Sequence, residues 1–414
     1  MNKVVLVQVE ESHTKIALLE DDHLAELHWE KNEQGSIVGN LYKGNVENVL
    51  PGMQAAFIDI GLERNAFLYV KEAIPTVLKE EGISPSIGDI LKPGQEVLVQ
   101  VLKEGIGTKG PRVTRNVTLP GHWVVLMPMM DHVGVSKRIE DERERRRLKE
   151  VAERVQIPGM GIIIRTTAVG ADENELAADI RRLQERWQKI EEKIRRRPSR
   201  SLVYQGGTLV ERILRDMIDD EVQQIRVNDC TTYNQMWEWA EENYPLLRSR
   251  LHLQDGRDYW TEFNLQVEIE KALRPKTWLK SGGYLVIQET EALTVIDVNT
   301  GKYTGTHDLE DTVRKTNLEA AREIARQLRL RSIGGIIVID FIDMTVDSHR
   351  QEVLDVLRES LQRDKAPTNV LGITPLGLVE MTRKKVRDSL TSMLTEPCSC
   401  CDGRGRVYRK SPIT

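Results

Sequence analysis

Cysteine is scarce in this sequence: four in 414 residues, at 230, 398, 400 and 401. A disulfide scaffold needs more of them in a far shorter chain, so none is expected. Aromatic residues are also few, 5% of the total, with only four Phe. No apolar run approaches the roughly 18–20 residues that span a bilayer, so no membrane span is expected. The start, MNKVVLVQVEESHTK, brings acidic residues close behind a short apolar run, unlike a signal peptide. The cytoplasm is therefore the expected compartment. No excess of one charge stands out: 59 Lys and Arg face 64 Asp and Glu, a net −5. That balance neither requires nor excludes nucleic acid, since a local basic face is enough to bind it. There is no G-x-x-x-x-G-K-[ST] phosphate loop, which argues against a nucleotide-binding α/β enzyme. Internal repeats and long low-complexity linkers are missing too.

What is present is a chain of roughly two to four compact units. Residues 3–9 and 14–29 alternate apolar and polar, as in a small antiparallel ribbon. Residues 38–117 hold short β-like runs broken by Gly and Pro, the pattern of a small, oligonucleotide-binding type of barrel. Residues 118–170 read as strands around a charged helix, and 173–197 as a long helix stopped by Pro198. Residues 208–272 alternate helix, strand and helix signals. From 278 onward the expected order is hairpin, helix, strand, helix, strand, helix. LTVID (293–297) and GIIVID (335–340) are near-continuous apolar runs, expected as strands buried on both faces.

Each of those two runs ends in an acid, Asp297 and Asp340. An amphipathic helix over 308–330 lies between them, after a turn Asn299-Thr300-Gly301-Lys302. If that helix is a crossover, the strands become neighbours and the acids meet at the sheet's carboxyl edge. Two carboxylates there suit Mg²⁺, which also binds phosphate oxygens. Asn299, two residues on, would share a face with Asp297. The competing reading is that strand-end Asp residues cap the turns that follow, and the nearby Asp343 complicates the choice.

Four further patterns each carry two readings. Phe57 and Phe67 flank the turn IGLERN, with Lys43, Arg64, Lys109 and Arg112 as basic neighbours. They are a stacking platform for bases or simply core. Arg165-Thr166-Thr167 follows the apolar run GIII and is a phosphate grip or an ordinary surface arginine. RRRPSR (195–200) and the tail GRGRVYRK touch phosphates or are solvated faces. Cys398 and Cys401 have C-x-x-C spacing, yet zinc wants four ligands. Either two chains share one zinc in a symmetric dimer, or the thiols are free, redox-active or regulatory.

The blocks GNLYKGNVENVLPGMQAAFIDIGLERNAFL, IIIRTTAVG, TVIDVNTG, KTNLEAAREIARQLRLRSIGGIIVIDFIDM, GLVEMTRKKVRDSL and EPCSCCDGRGRV occur in this order. Together they resemble the catalytic half of the bacterial ribonuclease E/G family, on its ribonuclease G side, from the first strand to about residue 407. The resemblance implies a multidomain α/β (α+β) architecture. Residues 1–37 and 208–272 would form a split RNase H-like subdomain, and 38–117 an S1-type RNA-binding barrel. A 5′-sensor would follow over 118–207, a DNase I-like catalytic subdomain over 273–394, and a zinc link with tail over 395–414. It implies Mg²⁺ on Asp297 and Asp340, with Asn299 supporting the nucleophile. It assigns a 5′-monophosphate to Arg165 and Thr166 with help from Gly121 and Val125. It assigns single-stranded RNA to Phe57, Phe67 and Lys109, and a zinc shared between two chains to Cys398 and Cys401. The implied activity is hydrolysis of single-stranded RNA to 5′-phosphate and 3′-hydroxyl ends, in rRNA and tRNA processing and mRNA decay. A non-catalytic S1-type RNA-binding protein is the alternative, against which the retained acids and Asn299 argue.

The link departs from the family's C-P-x-C: here it reads Cys398-Ser399-Cys400-Cys401, so Cys400 is a further thiol. The sequence ends at Thr414, without the family's small tetramer-forming domain. The expectation is therefore a homodimer, with no degradosome scaffold in this chain.

Overall fold

The computed structural model describes residues 2–32, 35–74, 85–105, 109–219, 221–301, 309–401, 403 and 405. Lys302, Asp308 and most of the GRGRVYRK tail, all part of the expectations above, lie outside these. The chain divides into two compact units. One is Met1–Gln8, Ile16–His28 and Gly256–Thr414; the other is Val9–Lys15 and Trp29–Asp255.

Near the N-terminus, β1 (Lys3–Val9), β2 (His13–Glu20) and β3 (His23–Lys31) are successive neighbours in a sheet. The expected ribbon is thus three strands, because 14–29 folds back on itself. Asp21 and Asp22, with φ of 47° and 64°, make the turn. Two consecutive positive-φ residues suit a two-residue hairpin, and Asp tolerates that region better than most side chains.

In the second unit, β4 (Leu41–Leu50), β5 (Ala55–Asp59), β6 (Ala66–Tyr69), β7 (Glu96–Lys103) and β8 (Arg112–Thr114) close a five-stranded barrel. The order is β4-β5-β6-β8-β7, with β4 pairing again to β7. β4 serves both partners because it is ten residues long and bulged between Val46 and Asn48. Ile58, Leu68, Val99 and Val113 fill the interior.

Beyond the barrel, β9 (Leu119–Pro120), β10 (Val124–Met127), β11 (Val133–Val135) and β12 (Gly161–Ile164) form a sheet in the order β11-β12-β10-β9. The helix Glu173–Arg196 starts on a capping box between Asp172 and Glu175 and ends before Pro198, as the sequence signals. β13 (Ser201–Tyr204) then pairs with β4. β14 (Val222–Val227) and β15 (Leu251–Leu253) run parallel in a pair.

The last part of the first unit is one six-stranded sheet. Its strands are β16 (Lys276–Trp278), β17 (Tyr284–Glu289), β18 (Leu293–Asn299), β19 (Gly335–Asp340), β20 (Thr368–Ile373) and β21 (Val379–Arg383). The order is β16-β17-β18-β19-β21-β20. Where one strand was expected after the helix Asp347–Leu361, there is a hairpin, β20–β21. The crossover is as expected: helix Leu309–Leu330 leaves β18 and returns to a parallel β19. Ile296, Val298, Ile337 and Ile339 pack with Ala320, Ile324, Leu328 and Leu357 of the helices.

One expectation fails here. β18 and β19 are not buried on both faces. Their exposure alternates: Ile296 and Ile339 are fully buried, whereas Val295 is 37% and Ile336 52% exposed. Helices cover one face only, so the apolar residues of the other face face outward. That open face is the one that carries Asp297 and Asp340.

Candidate active site

Asp297 and Asp340 are the last register partners of the parallel pair β18–β19. Neighbouring strands lie about 4.8 Å apart, so the two carboxylates leave the sheet side by side. Asp297 is half-buried and Asp340 exposed. Alternation puts Asn299 on the same face, and its Nδ2 donates to Asp297 Oδ2 at 2.7 Å. Partial desolvation, then the charge of Asp297 and that of Asp343, push the Asp340 carboxyl above its ordinary pKa. Among the described residues, neither Asp297 nor Asp340 accepts a backbone N–H, so the capping alternative finds no support. The donor set fits a hard divalent cation: hard oxygen ligands under mutual repulsion, with solvent open for the remaining ligands. Among the described residues no group of three or more His, Cys, Asp or Glu converges on one point.

The barrel presents a ring ladder. Phe57 and Phe67 are direct cross-strand partners, 5.5 Å apart edge to face. Both are half-buried, so they are not core residues. The sequence reading missed Tyr69, which extends the ladder 4.5 Å from Phe67 and is 40% exposed. The Arg112 guanidinium lies over its ring at 4.8 Å. Every second residue of a strand shares a face, which was the available signal. Lys109 is exposed, three residues before β8. Lys43 is ion-paired to Glu96 at 3.1 Å.

Arg165 ends β12. Its N–H donates to Trp123 O, and its Nη1 donates to Gly121 O at 2.6 Å. Val125 pairs with Ile163, which puts Val125, Trp123 and Arg165 on one half-buried face. Thr166 is exposed at the start of a short 3₁₀ turn, Thr166–Ala168. Gly121, Val125, Arg165 and Thr166 are therefore gathered at one end of this small sheet. Gly121 is required there: a Cβ would sit 2.5 Å from a carboxylate oxygen of Asp179. That buried carboxylate accepts the N–H groups of Trp123 and Val124 at 2.8 and 3.1 Å. Sequence reasoning missed it, and also Asp216, whose Oδ1 takes Arg165 Nη2 at 2.6 Å. Burial raises the Asp216 pKa, but Arg215 and Arg165 outweigh it and hold the group below its ordinary value.

Cys398 and Cys400 are exposed, Cys401 is half-buried, and none is in a disulfide. The chain turns tightly here: Cys401 N and Gly403 N both donate to Cys398 O at 3.3 Å. The amide of Cys400, then the thiol and amide of Cys401, lower the Cys398 thiol pKa. Gly405 N donates to Cys401 Sγ at 3.2 Å. Thiolate-favouring amides around a C-x-x-C turn fit half of a four-ligand zinc site.

A mixed α/β protein with a closed barrel, and with twin acids at the end of a parallel strand pair, is of the class that suits phosphodiester hydrolysis. The Ribonuclease E/G family pattern matches residues 118–386. Ribonuclease G of Escherichia coli K12 is 45% identical over 414 residues, covering 98% of this chain and 85% of its own length. Ribonuclease G of Haemophilus influenzae is 45% identical over 410 residues, covering 97% and 84%. Ribonuclease E of a Nostoc species is 40% identical over 408 residues, covering 97% of this chain and 58% of its own. The chain belongs to the ribonuclease E/G family.

Proposed function

We propose that this endoribonuclease of RNA processing hydrolyses single-stranded RNA at the Asp297–Asp340 pair, leaving 5′-phosphate and 3′-hydroxyl ends. The observation that carries the reading is the register of Asp297 with Asp340 on the open face of the sheet, with Asn299 bonded beside them. Asp297 and Asp340 would hold one Mg²⁺. When bound, such an ion lowers the pKa of water and stabilises charge on a phosphoryl oxygen. The bond to Asp297 fixes the Asn299 amide, leaving its carbonyl oxygen free to orient an attacking water. The raised pKa of Asp340 reflects partial desolvation first and then the like charges of Asp297 and Asp343, which a cation would relieve.

In the same reading, residues 1–37 and 208–272 are an RNase H-like subdomain, 38–117 an S1-type barrel and 118–207 a 5′-sensor. Residues 273–394 are a DNase I-like catalytic subdomain, and 395–414 a zinc link and tail. Phe57, Phe67 and Lys109 hold single-stranded RNA by stacking and charge. Gly121, Val125, Arg165 and Thr166 take a 5′-monophosphate, which stimulates cleavage. Cys398 and Cys401 share zinc with a second copy. The substrates are rRNA and tRNA precursors and mRNA, in the cytoplasm. No helix among the described residues is long and apolar enough to cross a membrane.

The test is cleavage of a 5′-monophosphorylated single-stranded oligonucleotide with and without Mg²⁺. Asp297→Asn and Asp340→Asn are each expected to cut at least about 10²–10³-fold more slowly, the scale for losing one preorganised electrostatic partner. RNA retention in a gel shift should survive. Normal cutting by either variant would overturn the assignment.

A further inference from the structure

We propose that Lys276, Trp278 and Tyr284 form a stacking platform for an RNA base beside the cleaved bond, which gives the active face its own base-binding subsite. The inference rests on the reading of Asp297 and Asp340 as the cleavage centre. It starts from strand register. On β17, Tyr284 lies opposite Asn299 and Val286 opposite Asp297. On β16, Trp278 lies opposite Tyr284 and Lys276 opposite Val286. Cross-strand partners share a face, so all six residues stand on the open side of the sheet.

Trp278 is 63% exposed there. The Trp278 and Tyr284 rings meet edge to face at 5.4 Å. Lys276 Nζ lies 4.1 Å from the centroid of the Trp278 ring and 3.5 Å from that of Tyr284. A large exposed ring with a cation against it has the chemistry of a single-strand subsite: a π-face for any base, and an ammonium for the adjoining phosphate. At about 4.8 Å per strand, β17 and β16 stand about 5 and 10 Å from β18. That is the span of a few stacked nucleotides at about 3.4 Å each.

The platform is also held still. A Cβ on Gly283 would fall 2.8 Å from Asn299 O, and one on Gly301 2.5 Å from Gly282 O. The hairpin turn therefore lies backbone to backbone against the segment that ends the catalytic strand. Leu279 N donates to Gly283 O at 2.8 Å, and Lys280 N to Glu319 Oε1 of the crossover helix at 2.6 Å. An anchored aromatic needs little further ordering when a base arrives, so stacking is not offset by a large entropy cost.

The occupant is single-stranded RNA rather than a second copy of the chain, because the rings share their face with the twin acids and the Lys276 ammonium lies against them, a positive charge for a phosphate. The experiment uses the full chain with a 5′-hydroxyl oligonucleotide, so that 5′-phosphate sensing does not contribute. An abasic residue is stepped along the oligonucleotide on both sides of the cut. The wild type should show one abasic position that raises KM about 10-fold, the scale of one lost base stack. Trp278→Ala should raise KM about 10-fold on the intact substrate, keep kcat within about twofold, and be insensitive to that abasic position. Trp278→Phe should recover most of the loss. An unchanged KM for Trp278→Ala, or an additive abasic effect, overturns the inference. So does a change of oligomer mass on a sizing column without a change in the abasic profile, since that would put a second copy on this face. Should Trp278→Ala fold poorly by circular dichroism, Trp278→Gln takes its place in the same cycle. Failure of the wild type to cut both this oligonucleotide and its 5′-monophosphorylated form would instead sink the reading of the acid pair.

Discussion

At the scale of single residues, the proposed phosphate-sensing role of Arg165 has to work against the partners this side chain already holds. Its donors are already engaged, by Gly121 O at 2.6 Å, Arg215 O at 3.3 Å and Asp216 Oδ1 at 2.6 Å. Asp216 is in turn held by Arg215, through Nη2 at 2.7 Å. A 5′-phosphate must therefore share the guanidinium with Asp216 or replace that carboxylate. A phosphate dianion can do so, because it offers more charge and a bidentate edge. Hydrogen bonds to charged groups contribute about 1.5–3 kcal/mol. Arg165→Ala should therefore bring the rate ratio of 5′-monophosphate to 5′-hydroxyl substrates close to one, with the hydroxyl rate changed less than about twofold. Paired single-turnover assays on the two substrates measure this. An unchanged ratio would remove Arg165 from phosphate sensing. Arg165 was nameable in the sequence through the block IIIRTTAVG, and Gly121 only as a position the family resemblance implies. Asp216 was not, because only the fold brings a residue 51 positions downstream to the guanidinium.

At the scale of elements, the strands that carry Asp297 and Asp340 were legible because an apolar run ending in Asp occurs twice with one helix between. That pattern leaves few ways to pair the strands. What misled was composition. Leu293, Val295, Ile336 and Val338 are apolar although they stand on the uncovered face, so the runs read as doubly buried. The Lys276–Trp278–Tyr284 cluster was hidden for a related reason: register across β16, β17 and β18 is a long-range property. The element scale carries its own prediction. Ile339 is fully buried among the covering helices, whereas Ile336 on the same strand is 52% exposed. Ile339→Ala should lower unfolding stability by about 2–5 kcal/mol, and Ile336→Ala by within about 0.5 kcal/mol. Urea denaturation midpoints distinguish the two. Equal losses would mean that the outer face of β19 is covered in solution.

At the scale of the whole molecule, a net charge of −5 concealed local basic and aromatic sites, so bulk charge said nothing about RNA. Family membership settles what composition left open, and the remaining question is assembly. Each chain offers a C-x-x-C turn whose amides favour thiolate at Cys398. A tetrahedral zinc needs four donors, so in the proposed link two chains that each contribute Cys398 and Cys401 would complete one sphere. Such a link would make zinc binding and dimer formation one equilibrium, because two thiolates supply only half of the sphere. Treating purified protein with a zinc chelator should therefore shift it from dimer to monomer in sedimentation, and added zinc should restore the dimer. Cys398→Ser should give a monomer at any zinc concentration, whereas Cys400→Ser should still dimerise if Cys400 stands outside the ligand set. A wild-type monomer with zinc present, or a dimer indifferent to the chelator, would refute the shared site and leave these thiols to redox chemistry.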